Sequence, residues 1–144
     1  MASLLTLIDN LNEDLANEYK HWHFYIHAAA LVQGLNREPI RGFLMNEAAG
    51  EMQHIQEFAS LILGLGGMPT TRVNGFRNDL TDVKSILQYS MAMEDEVVQN
   101  YVERKKQAQA LGGIHGSVIE AFVDGQILAS RHDADNIRQM LRGL

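Results

Sequence analysis

The chain has 144 residues, 46% of them hydrophobic, so it is long enough to bury an apolar core and short enough for one domain spanning residues 1–144. It contains no cysteine, which excludes disulfides, thiolate zinc sites and iron–sulfur ligation and favours a reducing cytoplasm. The net charge of −6 and the lack of a Lys/Arg-rich tail argue against binding to nucleic acid or to a membrane surface. The negative net charge favours cations as partners.

The first two amphipathic segments predict a pair of long helices. Over residues 3–33, apolar side chains recur at spacings of three and four, the period of one helix face: Leu4, Ile8, Leu11, Leu15, Trp22, Tyr25 and Ala29. After a break at residues 34–36, with Pro39 tolerated in a first turn, a second helix reaches about Leu65 on the stripe Ile40, Leu44, Ala48, Ile55, Phe58 and Ile62. The run Gly66-Gly67-Met68-Pro69 ends it.

The second half of the chain predicts another helical pair. Residues 66–79 have no apolar period and read as a crossover connection. Thr81 is the expected N-cap of a third helix over residues 81–111, which Gly112-Gly113 ends, and Ser117 is the expected cap of the fourth. The third stripe is Val83, Leu87, Met91, Val98 and Tyr101; the fourth is Ile119, Phe122, Val123, Ile127, Ala134, Ile137 and Leu141. The fold class is therefore all-α, an up-down four-helix bundle with one crossover connection.

Acidic residues interrupt these stripes at mid-helix. At 100° per residue, Glu18, Glu51 and Glu94 point toward the bundle axis, and Glu47 lies one turn before Glu51. A single acid of this kind more often reaches water at the edge of its stripe. Burying an ionised carboxylate is costly unless it is paired or bound to a metal, so three together indicate a shared cation.

The spacing Glu51-Met52-Gln53-His54 adds an imidazole to this set. A glutamate and a histidine three residues apart lie on the same side of a helix and can share one metal ion. The motif is a weak signal by itself, since it occurs often by chance. Mixed oxygen and nitrogen ligation suits iron, manganese or zinc better than magnesium or calcium, so iron is the first expectation and zinc the alternative.

These residues resemble the bacterioferritin branch of the ferritin superfamily. The matching elements are Asn17-Glu18 with Tyr25, Glu51-Met52-x-His54, and Ala92-Met93-Glu94, and the resemblance covers about residues 4–111. It implies a ferritin-like bundle with Glu18 as a terminal ligand of a first iron, Glu51 as a bridge and His54 as the nitrogen ligand of that iron. Glu94 would bind a second iron. Tyr25 would be a redox-active or hydrogen-bonding residue, or an ordinary core tyrosine.

The fourth helix departs from this pattern, because it lacks a second inward Glu-x-x-His. Its register places Ser130 and Asp133 where the family has those ligands, with Gln126 one turn earlier as another candidate, while His132 points away to the surface. If Asp133 and Glu94 hold a second iron with Glu51 bridging, the centre can still pass two electrons to an oxidant. Otherwise it binds one metal.

Histidines cluster on the first helix at positions 21, 23 and 27, flanking the buried face. We expect them to be surface or interface residues. They superficially fit the between-subunit iron site of the DNA-protecting miniferritins, but the carboxylates at the bundle centre argue against that family.

A second apolar stripe, displaced from the ligand face of the second helix, consists of Met45, Met52, Ala59 and Leu63. A second stripe needs a second partner, so we expect a homo-oligomer, at least a dimer. By the resemblance, Met52 is a candidate ligand for a haem shared between two subunits, although a methionine there is more often interface packing.

The sequence thus predicts an iron-binding protein that oxidises Fe²⁺ with oxygen or peroxide for iron storage or detoxification, a ferroxidase with an altered second site. One rival is a di-metal oxidase or peroxidase of the rubrerythrin type, disfavoured by the lack of cysteine for electron entry. The other rival is a non-enzymatic bundle that holds one structural metal or none.

Overall fold

A computed structural model describes residues 3–144 as four long helices and no named strand. The helices are α1 (Leu4–Leu31), α2 (Arg37–Gly64), α3 (Val83–Leu111) and α4 (Gly113–Leu141). Helix α1 packs along α2, α3 packs along α4, and α1 joins the two pairs through α3. The predicted four-helix bundle with one crossover connection is confirmed. None of the described helices combines the length and hydrophobicity needed to cross a membrane.

The crossover connection, residues 66–82, lies along α1 and is held there by asparagine side chains. Asn12 donates to the Met68 carbonyl at 3.1 Å and accepts from the Thr70 amide at 2.8 Å. Asn17 accepts from the side chain of Asn74 at 2.6 Å. These bonds satisfy the backbone of a segment that has no regular structure of its own.

Two predicted helix caps are wrong. The Thr81 carbonyl accepts from the Gln33 amide at 2.8 Å, so Thr81 belongs to a bridge with the end of α1, and Asp82 caps α3 by accepting from the Ser85 amide. Helix α4 begins at Gly113 rather than near Ser117. It starts early because Gly112 and Gly113 adopt φ of +69° and +65°, which reverses the chain within two residues at no Cβ cost.

The tight α3–α4 reversal leads to a stability prediction at Gly116. A Cβ at this position would lie 2.5 Å from the Ala108 carbonyl oxygen, so Gly116→Ala must push the two helices apart. We expect a loss of about 1–3 kcal/mol, the usual cost of overpacking. Gly125→Ala on the same helix meets nothing within 4 Å and should instead gain about 0.5–1 kcal/mol from helix propensity. Urea unfolding of both variants tests this, and equal effects would contradict it.

The core consists of two apolar clusters, one toward each end of the bundle. The first contains Phe24, Ala28, Ile40, Leu44, Ile86 and Leu87 among others, and the second contains Leu7, Leu11, Phe58, Ile62, Val97 and Ile119 among others. Four buried polar residues, Glu18, His21, Glu51 and Glu94, lie between the two clusters in chain position. The fold therefore seals a polar layer at mid-bundle between two apolar layers.

Candidate metal centre

Three helices each bury one glutamate in the polar layer. Glu18 of α1 is 1% exposed, Glu51 of α2 is 2% exposed and Glu94 of α3 is fully buried. They lie where the periodicity places them, because apolar residues on both sides of each acid hold its helix face against the core. No Lys or Arg pairs with any of the three within the described chain.

Glu18, Glu51 and His54 form one group of ligand atoms, which we call position 1. His54 Nδ1 lies 3.5 Å from Glu18 Oε2 and 3.4 Å from Glu51 Oε2. The ligand atoms of the three residues all lie within 4.8 Å of one another. Glu18 Oε2, Glu51 Oε2 and His54 Nδ1 are buried without a hydrogen-bond partner in residues 3–144, which is costly unless something else binds them.

Two buried tyrosines hold the outer glutamates in a reciprocal arrangement. Tyr25 on α1 donates to Glu94 Oε1 on α3 at 2.8 Å, and Tyr101 on α3 donates to Glu18 Oε1 on α1. Each tyrosine follows the glutamate of its own helix by seven residues, two helical turns, so the Glu-x₆-Tyr spacing could have revealed Tyr101, which the sequence reasoning placed only in the core. Both phenols fix one oxygen of a carboxylate.

The pKa values of Glu18 and Glu51 shift in opposite directions because the two carboxyl groups are buried close together. Burial opposes ionisation of Glu18, but its close contacts with Glu51 and His54 outweigh burial and lower the pKa of Glu18 to about 2. Burial, followed by the charge of Glu18, raises the pKa of Glu51 well above its usual range. Without a metal, the raised pKa favours the protonated form of Glu51, so a cation that binds Glu51 competes with a proton.

His21 does not lie on the surface or at an interface as the sequence predicted; it is 1% exposed. Its Nδ1 lies 3.4 Å from Glu94 Oε1 and 4.0 Å from Glu51 Oε1, and has no hydrogen-bond partner among the described residues. Burial alone would lower the pKa of His21, but its contact with Glu94 and the charges of the nearby carboxylates raise it. Glu18 and His21 are three residues apart, the same spacing as Glu51 and His54, and this signal could have placed His21 in the centre. The other two helix α1 histidines, His23 and His27, are exposed.

The fourth helix contributes less than the other three. Gln126 and Ser130 are buried, and Gln126 Oε1 lacks a hydrogen-bond partner in the described chain, while His132 is exposed as expected. Asp133 is half-buried, and its ligand atom lies within 4.8 Å of those of Glu47, Glu51 and Glu94. Asp133 therefore reaches the edge of the centre as part of an all-oxygen group.

Glu47 and Asp133 are neighbouring carboxyl groups whose ionisation is opposed mainly by burial. Burial, followed by the charge of Asp133, raises the pKa of Glu47 to about 8. Burial and the charge of Glu94 raise the pKa of Asp133 to about 6. Both side chains are half-buried, so water reaches this edge of the centre.

The donor set fits a dication of intermediate hardness. Carboxylate oxygens and imidazole nitrogens together suit Fe²⁺, Mn²⁺ or Zn²⁺, and the buried atoms without partners are the ones such an ion would bind. Met52 lies outside this centre, 48% exposed on the outer face of α2 beside the exposed Met45 and Leu63. A haem at Met52 would thus bind at the surface stripe and not at the carboxylates.

Known proteins share this architecture. A family model described as a ferritin-like domain matches residues 8–141, whereas no curated protein matches the chain. A ferritin-like, diiron-carboxylate protein from Bacillus anthracis is 31% identical, with a TM-score of 0.88 over 98% of this chain and 99% of that one.

Two further solved structures show the same fold at lower identity. The Desulfovibrio desulfuricans bacterioferritin, described with a diiron site, is 22% identical, with a TM-score of 0.87 over 96% of this chain and 80% of that one. A dodecameric thioferritin from Bacteroides fragilis is 19% identical, with a TM-score of 0.84 over 98% of this chain and 87% of that one.

Proposed function

The chain belongs to the ferritin superfamily, and from this membership we propose that it binds Fe²⁺ inside the bundle and oxidises it with dioxygen or peroxide. One observation carries the proposal. Glu18, His21, Glu51, His54 and Glu94 each present a buried ligand atom without a hydrogen-bond partner among residues 3–144, and the five residues form two groups that share Glu51. Bound cations would satisfy every one of these atoms.

Two adjacent ions fit the centre better than one. Position 1 uses Glu51 Oε2, whereas Glu51 Oε1 and Glu94 are left to a second ion, which we call position 2. Two Fe²⁺ ions held side by side can each give one electron, so that dioxygen or peroxide takes up two electrons and two protons together. Oxidised iron released from such a centre would serve storage or detoxification.

The protein's own residues prepare this reaction. Tyr25 and Tyr101 each fix one oxygen of a terminal carboxylate, so the other oxygen is free to face an ion. The apolar clusters above and below the polar layer limit water to the half-buried residues of the centre, His54 and the edge at Glu47 and Asp133. That edge is where iron and oxidant would enter the centre.

Assembly is a further part of the proposal. Met45, Met52 and Leu63 leave an apolar stripe on α2 exposed, which supports an oligomer of at least two chains. The proposed location is the cytoplasm, where Fe²⁺ is handled. Haem binding at Met52 is the finer possibility that this stripe leaves open; the absorption spectrum of the reduced protein tests it directly.

An anaerobic Fe²⁺ titration of the metal-free protein, combined with analytical ultracentrifugation, tests the proposal. We expect two ions per chain, release of protons as Glu51 binds metal, and rapid oxidation when air is admitted. A single bound zinc or no metal would instead support the non-enzymatic structural bundle. A monomer at all concentrations would contradict the proposed assembly. Two irons with no rapid turnover of Fe²⁺ would support an oxidase acting on another substrate.

A further inference from the structure

We propose that His21 is the nitrogen ligand of position 2, so that this chain supplies from α1 the second Glu-x-x-His that α4 lacks. The inference deepens the proposed function and rests on it. The motif Glu18-Tyr19-Lys20-His21 repeats on α1 the spacing of Glu51-Met52-Gln53-His54 on α2. Residues three apart share one side of a helix, and both histidines point into the same polar layer.

The two oxygens of Glu51 divide between the two histidines. Glu51 Oε2 lies 3.4 Å from His54 Nδ1, and Glu51 Oε1 lies 4.0 Å from His21 Nδ1. A carboxylate whose oxygens face two separate imidazoles is placed to bridge two cations. Each side also has a terminal carboxylate. Glu18 Oε2 lies 3.5 Å from His54 Nδ1, and Glu94 Oε1, which also accepts from Tyr25, lies 3.4 Å from His21 Nδ1.

These separations fit atoms that share one ion. If each bond to the metal is about 2.1 Å, two ligand atoms lie roughly 3.0 Å apart at right angles and roughly 4.2 Å apart when opposite. The four distances from the histidine Nδ1 atoms to the carboxylate oxygens, 3.4–4.0 Å, lie within this range, and the ligand atoms of each group all lie within 4.8 Å of one another. Position 2 is therefore a second set of one imidazole and two carboxylates.

Burial favours His21 over the two half-buried acids at the edge of the centre, Glu47 on α2 and Asp133 on α4. His21 Nδ1 is sealed from solvent without a hydrogen-bond partner in the described chain, so it needs a cation or a proton. Glu47 and Asp133 are half-buried, and neither has a buried oxygen that lacks a partner, so water can satisfy them. A protonated His21 that only balances the charge of Glu94 is the competing role, and it predicts no loss of metal when His21 is removed.

Metal stoichiometry separates these roles. In anaerobic Fe²⁺ titrations we expect wild type to bind two ions, and His21→Ala and His21→Gln to keep position 1 while binding the second ion at least about 10-fold more weakly. Glutamine keeps a hydrogen-bond partner for Glu94, so its failure would show that the imidazole itself is needed. His23→Ala, an exposed histidine two residues away, should keep both ions. Helical circular dichroism checks the fold of each variant.

Two results would overturn the assignment. One is unchanged binding of both ions in His21→Ala; the other is loss of the second ion in Glu47→Gln/Asp133→Asn while His21→Ala keeps it. If wild type itself binds no iron, the proposed function fails, and this outcome is distinct because it appears before any variant is compared.

Discussion

Replacing Glu51 by alanine should eliminate both iron positions at once, because Glu51 is the one side chain whose ligand atoms belong to every group at the centre. We expect rapid Fe²⁺ oxidation to fall by more than about 100-fold, since even the outer partners of metal ligands are worth about 10- to 100-fold. Stopped-flow absorbance after mixing with aerated buffer measures the loss. The exposed Glu96 provides a matched control: Glu96→Ala on α3 should oxidise iron at the wild-type rate.

A different substitution at this position, Glu51→Gln, should not destabilise the metal-free protein as changes at buried residues usually do. Burial and the charge of Glu18 raise the pKa of Glu51. Keeping this carboxyl group in the core therefore lowers the free energy of unfolding near neutral pH. Glu51→Gln keeps the shape without the charge, and we expect its metal-free Tm to equal or exceed that of wild type. Added metal, which stabilises a binding-competent protein by about 2.7 kcal/mol at 100 times Kd, should no longer raise its Tm. A metal-dependent rise in Tm equal to that of wild type would contradict the bridging role.

The parts of the centre that periodicity predicts are those whose own helix surrounds them with apolar residues. Glu18, Glu51 and Glu94 each interrupt such a stripe, so their burial follows from local sequence. The bundle and its crossover follow in the same way from four stripes and one long break. These are properties of single helices and their connections.

The parts that the sequence missed depend on which helices become neighbours. His21 lies at the edge of the α1 stripe, and its burial is decided by Glu94 on α3, 73 positions later in the chain. Tyr101 reads as an ordinary core residue until α1 brings Glu18 against it. The cap of α3 shifted for a similar reason, since the Thr81 carbonyl is taken by Gln33. A one-dimensional pattern contains spacings, but not these pairings.

The buried ion pair between Asp14 and Arg104 is another such pairing, and it was not predicted. Arg104 donates to both oxygens of Asp14, at 2.7 Å from Nε and 2.9 Å from Nη2, and to Gln107 at 2.8 Å. Asp14 is 1% exposed and Arg104 8% exposed. Burial, opposed by Arg104, raises the pKa of Asp14 to about 6, so the carboxylate depends on its partner to stay charged.

Breaking this pair from the Asp14 side should cause the largest loss of stability. Asp14→Leu leaves a guanidinium that cannot lose its proton, and we expect a loss of about 3–5 kcal/mol in the free energy of unfolding. The double variant Asp14→Leu/Arg104→Met removes both charges and should recover most of that loss, because apolar replacements of buried pairs are often neutral. Asp124→Leu, which breaks the exposed pair with Lys105, is the control and should change stability far less.

Arg104→Met tests the same pair from the other side and should depend on pH. Without Arg104, burial should raise the pKa of Asp14 further above its unfolded value, so the folded state binds a proton that the unfolded state releases. The free energy of unfolding of Arg104→Met therefore falls as pH rises from 5 to 8. Asp14→Leu leaves only the permanent charge of Arg104 at this pair, so its stability lacks this contribution to the pH dependence. Urea unfolding of the metal-free proteins at both pH values measures the difference. Equal pH dependence in the two variants would mean that Asp14 keeps its charge without Arg104, and that the pair is not what holds the carboxylate ionised in the core.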